Sequence, residues 1–368
     1  MKRVISLLMS AILLSALLSG CGDESPVPGG GESTASNGSA GSNVSSEAPK
    51  PDSNLNPLTG EYNLKDRAVG KRPVSVVVNN IKQAWPQYGL TSADLCYEMV
   101  TEGGITRILA VFADYQSMPK VGSVRSARHQ FTDCSIPLDT IFVHIGGSKP
   151  GYAALEDRDV THIDGINYFS AFMRDEQIKK QKGQEHSNFT SGELVAKAIE
   201  KKGIKTDGKS DPGFSFSTNG EVKGSDTAIN VTVPFSGYAT AYFDYDEASG
   251  KYLKSEKLGS GSSKQKQIDQ NNNQQIAVTN VFVLYADVYK YDDPQFVNTS
   301  NWTDIDFSKG GSGYYISGGT KTDFTWSKSN YANPFRFTKA DGTELLVNPG
   351  NSWVCITSES EKSDTVIK

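Results

Sequence analysis

The sequence is short of the residues that usually announce chemistry. It holds four cysteines and four histidines in 368 residues. Cys21 directly follows an N-terminal export signal and is set aside for lipidation, which leaves Cys96, Cys134 and Cys355, and an odd number cannot close a disulfide framework. These three lie in apolar stretches and read first as small buried hydrophobes, with a Cys96 to Cys134 bridge or a catalytic thiol as alternatives. No short ligand spacing joins His144, His162 and His186 to Asp164 or Glu185, so the pattern implies no metal and no cofactor. Ser126, Ser148 and Ser187 lack both the Gly-x-Ser-x-Gly elbow and the Ser-x-x-Lys signature of serine nucleophiles. No phosphate-cradling loop of Walker or dinucleotide spacing is present. Basic excess is also missing: 37 Lys and Arg stand against 42 Asp and Glu, a net charge of −5. That balance excludes nucleic acid as a partner and gives no attraction to anionic headgroups.

Long apolar runs are absent too. The run Val4 to Leu18 is too short for a comfortable membrane span. It comes after Met1-Lys2-Arg3 and closes on Leu18-Ser19-Gly20-Cys21, the order of a secretory signal over residues 1–20. The Leu-Ser-Gly-Cys ending resembles the bacterial lipobox, which implies lipidation at Cys21, palmitate included. Residues 21–56 are rich in Gly, Ser, Pro and Asn and cannot bury enough surface to offset chain entropy, so they read as a tether.

Beyond the tether the chain is long enough for two cores. The reading is an α+β chain: a mixed α/β domain over 57–210, then a mostly antiparallel β domain over 211–368. In the first, Val74 to Asn79, Leu95 to Val100, Ile105 to Ala113 and Thr140 to Ile145 have the β-branched or alternating texture of strands. Glu102-Gly103-Gly104 reads as a hairpin turn into Ile105. In the second, short alternating runs are separated by turns at Asp246 to Gly250, Gly318-Gly319 and Asp341-Gly342, and 345–354 reads as one strand. The polar stretch Gly259 to Asn273 reads as a long loop able to cover a cleft.

The chemically richest stretch runs from Glu102 to Ser148. Placed on a helix at about 100° per residue, the stretch from Gly122 gathers Val124, Ala127, Phe131 and Cys134 on one face and Arg125, Arg128, His129 and Asp133 on the other. Arginine suits a binding role because its planar fork grips carboxylate or phosphate and keeps its charge. The plain alternative is that Arg125 and Arg128 tie a helix to the sheet through Asp133, Asp139 or Glu102. Gly146-Gly147-Ser148 ends a strand where a helix begins, a turn whose N–H groups can hold an anion or serve only as a turn. Phe169 to Lys180 reads as an amphipathic helix. Thr190 with Glu193 reads as the capping box of a second helix that Gly203 stops, which places Glu185, His186 and Ser187 just ahead of it.

Several of these segments together carry a family pattern: the lipobox, Arg72-Pro73-Val-Ser-Val-Val-Val-Asn79-Asn80, Glu102-Gly-Gly-Ile-Thr-Arg107, Val121-Gly-Ser-Val-Arg125-Ser-Ala-Arg128, Val143-His144-Ile-Gly-Gly-Ser148 and Glu185-His186-Ser187. The chain resembles the YerB-like lipoproteins of Gram-positive bacteria, a two-region family of unknown function. The resemblance implies a lipid anchor in the cell membrane and an extracytoplasmic location. It brings no reaction with it.

Two functional classes remain open on the residues. One is a binding module whose candidate ligand residues are Arg107, Arg125, Arg128, Gly146, Gly147 and Ser148, holding a peptidoglycan carboxylate or a teichoic acid phosphate. The other is an envelope hydrolase or transferase with His144 or His186 as base and Glu98, Glu102, Asp139 or Glu185 as acid or orienter. A zinc site and a scaffold that docks an envelope protein complete the alternatives.

Overall fold

The computed structural model describes residues 54–292 and 301–368. Cys21, the signal segment and most of the expected tether lie outside them. Residues 54–56, assigned above to the tether, are already packed: the Asn54 side chain donates to Leu64 O and that of buried Asn56 to Asp94.

The apolar runs of the first region become the strands Val74–Asn80, Leu95–Val100, Thr106–Phe112 and Ile141–His144. The second and third form the expected hairpin, with Val100 opposite Thr106 and Gly103 and Gly104 at positive φ in the turn. The sheet is mixed because Val74–Asn80 runs antiparallel to Thr106–Phe112 and parallel to Ile141–His144. In the second region the antiparallel strands Ala239–Asp246 and Lys251–Leu258 meet at the Asp246 turn, and Gly311–Ser317 and Thr320–Ser327 at the Gly318-Gly319 turn.

The two regions do not keep separate sheets. The expected 345–354 strand is broken at Pro349-Gly350, and its second part, Ser352–Ser358, lies parallel between Leu95–Val100 and Asn280–Tyr291. One twelve-stranded sheet therefore crosses the 210/211 boundary, and the described residues form one compact unit. Side chains alternate across its faces. On one face Val76, Val78, Ile108 and Ala110 pack with Val231, Phe243 and Tyr252 of a six-stranded sheet and with Val195 and Ile199 of a helix. On the other, Val77, Leu109 and Val111 pack with Phe131, Leu155, Phe282 and Trp326. Cys96 belongs to the first face and Cys134 to the second, and all three described cysteines are free and buried. The Cys96 to Cys134 bridge is thereby excluded, and burial pushes both thiols up, away from the reactive thiolate.

Four α-helices are described: α1 His129–Ser135, α2 Lys149–Asp157, α3 Glu176–Lys182 and α4 Gly192–Lys202. The long helix expected from Gly122 shrinks to α1. Residues 123–127 stay extended because sheet partners claim their backbone: Asn79 N donates to Ser123 O, Arg125 N to Val77 O and Ala127 N to Gly146 O. The expected 169–180 helix is likewise split by a short strand at Met173-Arg174. The cap of α4 is Ser191, whose hydroxyl accepts from Leu194 N, while Thr190 donates instead to Ala171 O; Gly203 ends the helix in the left-handed conformation.

Candidate functional site

The extended segment 123–128 occupies the edge of Val74–Asn80 beyond the point where Ile141–His144 stops pairing with it. Successive residues then point to opposite sides, and the segment is held between the sheet and the 145–148 turn. Ile145 N donates to Arg125 O, and Ser148 N donates to Ala127 O. Ser148 is the N-cap of α2, its hydroxyl oxygen accepting from Gly151 N at 3.0 Å. Gly146 has φ of 72°, and a β-carbon there would sit 3.3 Å from Ser126 Oγ.

This frame gathers three arginines. Arg107, from the adjacent Thr106–Phe112 strand, donates through Nη1 to Ser126 O at 2.8 Å. Arg128 Nε meets Glu102 Oε2 at 2.7 Å, and Arg125 Nη1 meets Glu185 Oε2 and Glu185 O, each at 3.2 Å. Three guanidiniums thus face two carboxylates. Burial, then the charges of Arg128 and Arg125, press Arg107 toward losing its proton, with Glu102 opposing. A guanidinium keeps its proton across the pH range of proteins. The pressure therefore stands as unfavourable electrostatic energy that a bound anion would relieve. Arg107 Nε and Arg125 Nε are buried without hydrogen-bond partners among the described residues, as is Glu102 Oε1.

His186 lies on the Arg125 side. Asn79 Nδ2 donates to its Nδ1 at 3.2 Å, which leaves Nε2 as the protonated nitrogen, 3.4 Å from Glu185 Oε1. Burial lowers its pKa, Glu185 opposes and Arg125 and Lys182 assist, so the ring is neutral at pH 7. The Ser187 hydroxyl donates to Gln184 O rather than to the His186 ring.

His144 takes a different place, beneath the Gly146 turn and out of solvent contact. Its Nδ1 lies 2.7 Å from Gly146 O, which can only accept, so Nδ1 carries the proton and Nε2 accepts from His162 Nδ1 at 2.9 Å. Burial lowers the His144 pKa to about 4. Asp164 closes this corner by accepting from Gly146 N, Ile166 N and the Tyr152 hydroxyl. Tyr152, Ile166 and Phe169 give the surface beside the turn an exposed apolar rim, and the Arg174 guanidinium covers the Phe169 ring at 4.9 Å.

Two expected site residues, Asp139 and Glu98, separate from the cluster, as do Asp133 and His129 of the expected helix face. Asp139 pairs with Arg72 at 3.0 Å, ahead of Ile141–His144 and thus at the opposite end of that strand from His144. Asp133 pairs with Arg158 on α1's outer side, and His129 pairs with Asp304 at 2.5 Å. Glu98 shares the face of Thr106 and Ile108, opposite to Arg107, and is fully buried in a polar cluster. There Glu98 and Glu256 flank the Lys254 ammonium at 3.2 and 2.8 Å. Asn80 Nδ2 lies 2.8 Å from oxygens of Glu98, Thr106 and Glu256, and Trp353 Nε1 donates to Glu98. Burial and then the charge of Glu98 hold the Glu256 carboxyl well above its usual range, against Lys254. No cluster of three His, Cys, Asp or Glu side chains suited to a metal occurs among the described residues.

Asn79, Arg174, Lys254 and Glu256 escaped the sequence reading. The one available signal was Lys254-Ser255-Glu256 inside an otherwise ordinary amphipathic strand.

Two family models match the chain: the DUF3048 N-terminal domain, a protein of unknown function, over residues 58–205, and the DUF3048 C-terminal domain over 231–354. The chain belongs to the DUF3048 family. Among DUF3048 relatives is a Bacillus subtilis (strain 168) protein named "Putative lipoprotein YerB", 31% identical over 309 residues, 82% of this chain and 86% of the relative. The crystal structure of YerB protein from Bacillus subtilis matches with a TM-score of 0.71 at 30% identity, covering 85% of this chain and 99% of that one. The family resemblance and the α+β fold expected from the sequence are both shown by these matches, and neither brings a reaction.

Proposed function

We propose that this DUF3048 protein is lipid-anchored at the outer face of the cell membrane and binds an anionic group of a cell-envelope polymer at Arg107, Arg125 and Arg128. The lipobox ending at Cys21 and the name of the Bacillus subtilis relative support the anchor. The binding role rests on one observation: three guanidiniums share two carboxylates and leave two buried Nε–H donors unpartnered among the described residues. An oxyanion of peptidoglycan peptide or teichoic acid at the partly exposed Arg125 guanidinium would offset the surplus positive charge behind it. Gly146 and Gly147 keep the wall beside Arg125 low, and Tyr152, Ile166 and Phe169 offer apolar contact to the rest of the polymer.

The test is binding of the purified protein to sacculi with and without teichoic acid, at low and high salt, alongside an Arg125→Ala/Arg128→Ala double variant. The expected result is salt-sensitive binding that falls about tenfold or more in the variant with folding retained. Equal binding by the two proteins would overturn the proposal.

A second reading, an envelope hydrolase, is favoured by the Glu185, His186 and Asn79 contacts beside Arg125. In it His186 is the base and Arg125 holds the developing oxyanion. Turnover of sacculi that survives His186→Ala unchanged would end it.

A further inference from the structure

A cavity of about 290 Å³ lies on the far side of the sheet from Arg107, between the turn at Lys82 to Pro86 and the loop after Leu258. Its size is near the lower end of small-molecule sites, enough for one ring rather than a polymer. Trp85 and Pro86 supply one wall, Leu258 and Ile268 the other, and Glu256 reaches it from the buried cluster. Lys82 and Lys266 stand exposed at its rim.

Two features set this cavity apart from a packing gap. The first is that its lining is held by a second layer of fixed groups. Trp85 Nε1 donates to Asn80 Oδ1 at 3.0 Å, Gln87 Nε2 donates to the same oxygen at 2.7 Å, and the Asn80 amide nitrogen lies 2.8 Å from Glu256. One asparagine therefore orients both the indole wall and the carboxyl. The second is the cost of the layer behind it: Lys254, Glu98 and Glu256 are removed from water, where an apolar set of similar volume would serve the core as well or better. The hydrogen-bond chain continues from Gln87 to Gln267, whose Oε1 is buried without a partner among the described residues and which lies between Lys266 and the cavity-lining Ile268.

We infer that this cavity is a second binding site, for a single sugar ring that carries a carboxylate. The indole and prolyl walls fit the apolar face of a pyranose ring. The serines Ser262 and Ser263 offer hydrogen bonds to its hydroxyls, while the buried Glu256 only backs the wall, and Lys82 and Lys266 meet the acid group. The loop 259–273 that forms the outer wall is fixed to the first region, because Asp269 accepts from Gly89 N at 3.0 Å and from Thr91 N at 2.9 Å. The site is thus formed before ligand arrives.

Tryptophan fluorescence and isothermal titration of the full chain in detergent test this, with N-acetylmuramic acid and N-acetylglucosamine as probes that differ in a lactyl carboxylate. Saturable binding of the acid, weaker by about tenfold or more in Trp85→Ala, is expected. Lys82→Ala/Lys266→Ala changes only exposed side chains, so folding is retained, and it is expected to bring affinity for the acid down to that for the neutral sugar. The Arg125→Ala/Arg128→Ala variant is expected to bind both probes as the unaltered chain does, which separates this site from the one proposed above. Absence of saturable binding, or binding unchanged in Trp85→Ala, overturns the inference. Equal affinity of the unaltered chain for the two probes overturns the assignment of the carboxylate.

Discussion

His144 shows how a single residue couples its surroundings to pH. Its ring is neutral in the fold, with burial lowering its pKa to about 4, while in the unfolded chain it titrates near the ordinary value of 6.5. Between those values the unfolded state binds the extra proton, so the stability that His144 contributes is complete above about pH 6.5 and is lost as pH falls toward 4. The difference corresponds to roughly 3 kcal/mol. Urea unfolding at pH 7.5, 5.5 and 4.5 is expected to show a steeper acid loss in the unaltered chain than in His144→Gln; parallel curves would show that the residue is not protonation-linked. Among the site residues, Arg125, Arg128 and Glu102 were legible because they crowd into one short stretch with opposite charges. Asn79 and Lys254 were not, since an asparagine ending a strand and a lysine inside one look like solvent-facing residues until the partners that bury them are known.

At the scale of elements, the segment 123–128 is the instructive case. Its apolar spacing satisfies a helix, yet its N–H and C=O groups are taken by Asn79, Val77 and Gly146, residues remote in sequence. Tertiary pairing outweighs a local period of this strength because it satisfies the backbone and places Val124 and Ala127 in the core at the same time. The stretch 259–273 obeys the same logic: its composition suggests a free loop, yet Gln265-Lys266 pair with Ser255-Glu256, and the buried Asp269 carboxylate ties it to Gly89. Asp269→Ala is expected to leave Gly89 N and Thr91 N unpaired and to cost about 1–3 kcal/mol. Hydrogen exchange would check it, through faster exchange at Thr91 and across 259–273; unchanged protection would mean that the loop is held by other contacts.

On the scale of the whole molecule, the shared sheet governs stability. Leu95–Val100 pairs with Thr106–Phe112 on one side and with Ser352–Ser358 on the other, and Lys254 and Trp353 reach Glu98 from the second region. A fragment of residues 54–210 would expose that strand edge and leave Glu98 without its ammonium partner. It is expected to aggregate or remain without fixed tertiary packing, whereas the full chain is expected to unfold in one transition by both near- and far-ultraviolet circular dichroism. Two resolved transitions in the full chain, or a soluble and well-packed fragment, would contradict this.

The sequence by itself determined the strands with a clear period, the hairpin turns at Gly103-Gly104 and Gly318-Gly319, the stop of α4 at Gly203 and the grouping of Arg125 and Arg128 with Glu102. Each of these depends on residues within a few positions of one another, or within one short stretch, where backbone preference and side-chain alternation act directly. Only the tertiary structure decided that Glu98 and Asp139 leave that group, that two regions share one sheet, and that a lysine and two glutamates meet beneath a cavity. Those outcomes depend on which strand lies beside which and on the face each residue presents, and a one-residue change of register would turn each of these side chains to the opposite face.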